Sequence, residues 1–182
     1  MTLKEYIKAV KTLCAEIHEE DMDSWEFEKL NKKIVLAANM GARDITRSTY
    51  PLTKSVVENG AKEWKKPDDF IALQECTGGR FERYIGEDGK ECLQLLDNAE
   101  YRIIYRHAHK KMESDEDVFE FPLDVMNALI YYGAYHVLSS DNDKRNFVYF
   151  KNLYDQECVN IVANRPRRLT VVKEKRGGIR AL

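Results

Sequence analysis

The stretch from Phe121 to Tyr154, FPLDVMNALIYYGAYHVLSSDNDKRNFVYFKNLY, limits what this chain can fold into more than any other part of it. Pro122 suits the first turn of a helix, where its missing N–H costs nothing. After it, Leu123, Val125, Met126, Ala128, Leu129, Ile130, Ala134, Val137 and Leu138 run together with Tyr131, Tyr132 and Tyr135. A helix of that composition is apolar around most of its circumference and needs cover on most of it. Burying each large side chain contributes roughly 1.5–3 kcal/mol, and a wet flank would promote aggregation. The cover has to come from other helices, from a β subdomain or from neighbouring copies of the chain. Ser140, Asp141, Asn142 and Asp143 then offer a tight polar turn with N-cap candidates. Phe147, Phe150, Tyr154, Cys158 and Ile161 follow at helical spacing, which predicts a second helix folded back on the first as an αα-hairpin.

Near the N-terminus, Thr2 and Glu5 form a capping box, and Leu3, Tyr6, Ile7, Val10, Leu13, Cys14 and Ile17 recur at three- and four-residue steps. HEEDMDS interrupts that helix. Ser24 caps again, and Phe27, Leu30, Ile34, Ala37, Ala38, Gly41 and Ile45 mark a second helix ending near Thr46. The small residues Ala37, Ala38, Gly41 and Ala42 would let another backbone approach closely. From Pro51 to His109 the period changes: DFIALQEC, GRFERYIG, KECLQLLD and YRIIYRHA are short segments separated by turn signals. Glu87, Asp88 and Gly89 suit a hairpin turn, because Gly89 tolerates positive φ. Tyr101, Ile103 and Tyr105 alternate with Arg102, Ile104 and Arg106, as in a strand with one buried face. The segment from Lys111 to Phe119, dense in acids, reads as a charged loop. The expected fold is α+β: a bundle of about four helices (residues 2–47 and 122–162), an inserted antiparallel β subdomain (about 51–109), and one domain over residues 1–165. An extended arm, residues 166–182, follows.

The arm is basic. Arg165, just before it, and Arg167, Arg168, Lys173, Lys175, Arg176 and Arg180 within it face one acid, Glu174, and Gly177-Gly178 makes a flexible break. Its apolar content is too small to order it alone. The whole chain, by contrast, has a net charge of −2, so any attraction to nucleic acid has to be local. The first residues carry Lys and Glu within their apolar pattern, unlike a signal peptide, and no apolar run reaches membrane-spanning length, so an intracellular protein is expected, with no membrane partner. Cys14, Cys76, Cys92 and Cys158 lack CxxC spacing and are expected to be reduced thiols.

A search for chemistry finds little. Gly78-Gly79 and Gly177-Gly178 lack the strand-to-helix context and the Lys-Ser/Thr of a phosphate loop. His107 and His109 would share one face of a strand, as metal ligands do, but Arg106, Lys110 and Lys111 crowd them with positive charge and no third ligand is near in sequence. His136, inside the apolar helix, reads as a core or interface histidine. The pairs Asp68-Asp69 and Glu19-Glu20 point apart in helix or strand alike, so neither is a ready acid/base pair. No serine or cysteine has the context of an activated nucleophile. No catalytic residue, cofactor or metal is expected, and the protein is read as a non-enzyme. The aromatic set Tyr131, Tyr132, Tyr135, Phe147, Tyr149, Phe150 and Tyr154 has two readings, core packing or subunit interface, since tyrosine suits surfaces with one packed and one wet end.

Two passages carry a resemblance: YPL…WKKPDDFIAL, from Tyr50 to Leu73, and FEFPLDVMNALIYYGAYHVLSSDNDKRNFVYFKNLYDQ, from Phe119 to Gln156. In the first the matching residues are Pro67, Asp69 and Phe70. In the second they are Pro122, Ala128, Leu129, Tyr131, Tyr132, Ala134, Tyr135, Leu138, Asp141, Phe150 and Tyr154. With the order of parts, they resemble the head-to-tail connector (adaptor or neck) proteins of tailed bacteriophages. Gly133 within the helix and the strongly basic tail depart from that pattern. The resemblance implies a structural virion protein at the head-tail junction, assembled in the bacterial host cytoplasm. It further implies a homo-oligomeric ring, commonly of twelve copies, below the portal of a DNA-filled capsid. The partners it implies are further copies of the chain, the portal protein, a tail or second neck protein, and DNA passing through the channel without sequence specificity. Tyr131, Tyr132, Tyr135, Phe150 and Tyr154 would then belong to the subunit interface, and the basic arm would grip the portal or the next ring. The alternative is a small nucleic-acid-binding module whose arm contacts phosphates.

Overall fold

The structure is a computed structural model, and it describes residues 1–14, 24–86, 91–139 and 144–165. Helix α1, Leu3–Leu13, begins as the capping box requires: the Glu5 amide donates to Thr2 Oγ1 at 3.2 Å, and the Thr2 amide donates to the Glu5 carboxylate at 2.8 Å. Helix α2, Ser24–Asp44, buries Leu30, Ile34, Ala37, Ala38, Gly41 and Ala42. It runs on past the expected end as a π-helical turn, Ile45–Thr49, where Thr46 Oγ1 donates to the Ala42 carbonyl at 2.7 Å. The chain returns to helix only after the β region, in α3, Leu123–Leu138, and α4, Lys144–Ala163. Pro122 stands at the N-cap of α3 with extended backbone.

The other three helices close around α3. On one side Tyr6 of α1 reaches in and donates its hydroxyl to the Leu129 carbonyl at 3.1 Å. Gly133 lies directly beneath: a Cβ there would stand 2.3 Å from Tyr6 Oη and 2.7 Å from Val10 Cγ2. On another side Gly41 of α2 receives α3, and a Cβ there would meet Leu129 and the Tyr132 ring at 2.7 Å. The close approach read from Ala37, Ala38, Gly41 and Ala42 is therefore used within the chain. Helix α4 closes the third side with an aromatic seam. Most of α3 is thus buried by its own chain. Of the sources of cover open to it, the other helices of the same chain supply most of it, and neighbouring copies are not needed for that part.

The β region holds two antiparallel three-stranded sheets. The strands are β1 (Leu52–Asn59), β2 (Lys62–Trp64), β3 (Phe70–Thr77), β4 (Phe81–Ile85), β5 (Glu91–Leu95) and β6 (Glu100–His107). One sheet has the order β1-β6-β3, with Leu52 opposite His107 and Asn59 opposite Glu100; the other is β2-β5-β4. Tyr101, Ile103 and Tyr105 of β6 point inward, as their alternation predicts, and join Trp64, Leu93 and Leu95 in a core separate from the helical one. Trp64 sits 5.6 Å from Tyr105 and 5.7 Å from Phe70, ring centre to ring centre. Gly78, at φ 115°, takes the turn after β3, where a Cβ would collide with the Glu100 carbonyl. The Glu87–Gly89 turn lies outside the described residues, though β4 and β5 pair as a hairpin requires.

Strands β1 and β2 were not anticipated as separate strands. Strand β1 buries little besides Leu52, so its sequence lacks a clean alternation, and β2 is only three residues long. Both lie at sheet edges, where charged residues such as Lys54, Glu58 and Lys62 are tolerated and discourage further pairing.

The acid-rich segment after β6 is irregular but tied down. The Asp117 carboxylate accepts from the amides of Glu113 and Ser114 and from Lys110 Nζ, each at 2.8 Å, which holds its pKa well below the usual carboxylate range. The Leu3 amide donates to the Asp117 carbonyl, and the Phe119 amide to that of Met1. The close packing at Gly133 gives a direct test. Gly133→Ala should lower stability by about 1–3 kcal/mol through overpacking, outweighing a helix-propensity gain of about 1 kcal/mol. A lowered urea midpoint is the expected readout, with Gly41→Ala moving the same way; an unchanged midpoint would mean that α1 can slide off α3 freely.

Candidate functional site

The aromatic residues expected at an interface form the seam between α3 and α4. Tyr131 stacks with Phe150 at 6.4 Å, Tyr132 meets Tyr154 edge-on at 5.3 Å, and Tyr135 lies 5.8 Å from both Phe147 and Tyr154. Within the single chain Tyr132, Phe150 and Tyr154 are 7%, 8% and 7% exposed, so these three serve as core; Tyr131 and Tyr135 are half-buried. The Tyr154 hydroxyl donates to Asp44 at 2.5 Å, fastening α4 to the end of α2. Burial and the Asp44 carboxylate push the Tyr154 pKa up, and burial does the same for Tyr135.

What the seam leaves exposed is another flank of α4, roughly a third of a turn round the helix from it. Val148, Val159 and Val162 are 50%, 67% and 50% exposed, and Tyr149 flanks them. Their spacing of eleven and three residues puts the valines on one stripe, so α4 carries two apolar faces of which the chain covers one. The sequence signal existed, since the valines are legible beside the inward Phe147, Phe150, Tyr154, Cys158 and Ile161. It was masked because the inward set accounts for a helical period by itself. Arg165, just beyond α4, is half-buried, with Nε and Nη2 lacking any hydrogen-bond partner. Arg167, Arg168, Lys173, Lys175, Arg176 and Arg180 lie outside the described residues, as does the Ser140–Asp143 turn.

A second feature lies where the helices meet the sheet. Arg106 of β6 donates through Nη2 to the carbonyls of Thr46 (3.2 Å) and Arg47 (3.0 Å), capping the negative end of α2 and its π-helical turn with a cation. Beside this joint a cavity of about 380 Å³ opens between that helix end and the segment Ala108–Lys111. Arg43, Arg47, His109, Lys110 and Lys111 line it together with Met40 and Ile71, and no acidic residue does. No sequence reading marked it, because its walls come from three separate parts of the chain, the end of α2 with its π-helical turn, Ile71 of β3 and the segment Ala108–Lys111.

His107 and His109 do not converge. His107 is buried, its Nδ1 donating to the Ala108 carbonyl at 3.0 Å with the Asp69 and Glu120 carboxylates each 3.8 Å away. His109 stacks on Phe121 at 4.9 Å; its Nδ1 donates to the Lys110 carbonyl and its Nε2 accepts from the Glu120 amide. Among the described residues no group of three His, Cys, Asp or Glu side chains is placed to hold a metal. None of the four cysteines is in a disulfide, and Cys14 is fully buried. No described helix is long and apolar enough to cross a membrane.

Burial lowers the His109 pKa, and protonation would also remove the acceptor of the Glu120 amide. Because the folded-state pKa lies below the unfolded value of about 6.5, the neutral ring's contribution to stability is full above that value and is lost as pH falls through the lowered one. Burial lowers His136 as well, so both histidines tilt stability the same way. Urea midpoints measured from pH 8 to pH 5 should therefore fall with pH, and His109→Gln should flatten part of that slope; an identical slope in the variant would remove His109 from the account. No protein-family model matches the chain, and no curated protein matches it.

Proposed function

We propose that the protein is a head-to-tail connector of a tailed bacteriophage, a ring-forming virion protein seated below the portal that extends the DNA channel toward the tail. The observation that carries this reading is the α3–α4 hairpin. Tyr131, Tyr132, Tyr135, Phe150 and Tyr154, which give the sequence its resemblance to that class, form its seam. Once the seam is satisfied, α4 still presents Val148, Val159 and Val162 to solvent. An apolar stripe repeated on every copy suits a heterologous contact that closes into a ring. On this reading the ring contact moves from the tyrosines of α3 to the outer face of α4. The role is mechanical rather than catalytic, and the arm beyond Pro166 engages the portal or the next ring.

Two measurements test it. Val148→Asp, Val159→Asp and Val162→Asp combined should leave the fold intact by circular dichroism, since these side chains are outside the core, and abolish rings counted by electron microscopy and native mass measurement. Rings that persist in the triple variant, or a wild-type chain that stays monomeric and never docks on a portal, would overturn the reading. Removing residues 166–182 should cost assembly and leave DNA affinity unchanged. A variant that still assembles but loses salt-dependent DNA binding would instead support the nucleic-acid module.

A further inference from the structure

We propose that the cavity between the end of α2 and the segment after β6 is a receptor for an acidic peptide of a partner protein. An Asp or Glu carboxylate would be held by Arg43 and Arg47, with a neighbouring apolar side chain resting on Met40 and Ile71. The inference stands on the cavity alone and does not depend on ring formation.

Charge is the first reason. The lining holds two arginines and two lysines with no carboxylate among them, in a protein whose net charge is −2. The lysines have counter-ions outside the lining: Lys110 pairs with Asp117 at 2.8 Å and Lys111 with Glu113 at 2.7 Å. Arg43 and Arg47 have no carboxylate partner among the described residues. Behind them the Arg106 guanidinium meets only the carbonyls of Thr46 and Arg47, and its buried Nε has no partner. The wall therefore carries positive charge that the described residues leave uncompensated at Arg43 and Arg47, and an entering anion would relieve it. Two guanidinium groups one helical turn apart offer the planar, two-pronged donors that carboxylates accept best.

Shape and polarity narrow the ligand. Met40 and Ile71 are 42% and 38% exposed where they line the cavity, an unusual position for large apolar side chains beside four cations. A fully hydrated phosphate gains nothing from such a surface, whereas an acidic residue flanked by an apolar one uses both parts. A volume of about 380 Å³ admits a side chain or two but not the rod of a duplex, whose phosphates lie on a convex surface. The larger cleft between α1 and α2 differs in this respect. There Lys4, Lys8, Lys11 and Lys32 share the lining with two carboxylates, Glu113 and Asp115, so part of the positive charge is offset within the cleft itself.

Fluorescence anisotropy on the full chain tests the proposal, using a labelled, end-blocked peptide of alternating leucine and glutamate as probe. The expected result is saturable binding that weakens about tenfold or more in Arg43→Gln/Arg47→Gln, and several-fold in Ile71→Asn, with circular dichroism confirming both folds. The same peptide with glutamine for glutamate should not bind. Four results would overturn the proposal: no saturable binding of the acidic probe, equal binding of the glutamine peptide, wild-type affinity in the double arginine variant, or displacement of the acidic peptide by a short DNA duplex at lower concentration than by unlabelled peptide. Self-association that consumes the cavity, seen as protection of Ile71 in a dimer without added peptide, would likewise replace the partner with a second copy.

Discussion

The burial of α3 is the constraint on which the remaining structure rests. A helix with apolar residues on most sides can be covered only if several elements come close enough, and closeness is set by what lies at the contact. Gly133 admits Tyr6 and Val10 of α1, and Gly41 of α2 admits Leu129 and Tyr132. Without those two gaps, α1 and α2 would stand off by the thickness of a methyl group, leaving voids along the core. The Tyr6 hydroxyl, carried into that core, is satisfied by the Leu129 carbonyl, so the approach leaves no buried donor unpaired. The glycine that departs from the connector pattern has a packing reason in this chain.

The β region is a second core, joined to the first by Leu52 of β1, which packs in the helical core, and by a polar joint. Arg106 reaches from the central strand to the carbonyls at the end of α2, while Asn39 bonds both the amide and the carbonyl of Met112, at 2.8 and 3.0 Å. Hydrogen bonds of this kind fix orientation in a way that apolar contact cannot, because they fail outside a narrow range of distance and angle. The cavity follows from the same joint: a helix end and a strand end held apart by an arginine leave room between them. Its positive lining follows from using a cation there, where helix carbonyls favour one.

The two kinds of unsatisfied surface differ in what they ask of a partner. The outer stripe of α4 is apolar and regular, suited to a repeating contact between like subunits. The cavity is small, recessed and cationic, suited to a single segment from elsewhere. The connector role proposed above would require both, holding like copies together and gripping unlike neighbours, and two surfaces of different chemistry would let each act without competing for the same partner.

Much of this was legible from the residues alone, for reasons of range. The capping box at Thr2 and Glu5, the alternation of Tyr101, Ile103 and Tyr105, and the apolar run after Pro122 are local signals, and each produced the element it predicts. The chain could not reveal which side of an element its own neighbours would cover. Tyr132, Phe150 and Tyr154 read equally well as core or interface, and only the folding back of α4 and the bond from Tyr154 to Asp44 decided for core. Strand β1, with little alternation, exists because β6 offers it an edge to pair with. The cationic cavity joins Arg43 and Arg47 to Lys110 and Lys111 across a whole sheet of intervening chain. Local order follows from backbone and side-chain preferences within a few residues, so the sequence fixes it. Burial, pairing and charge clustering depend on contacts between distant segments, and only the tertiary structure settles them.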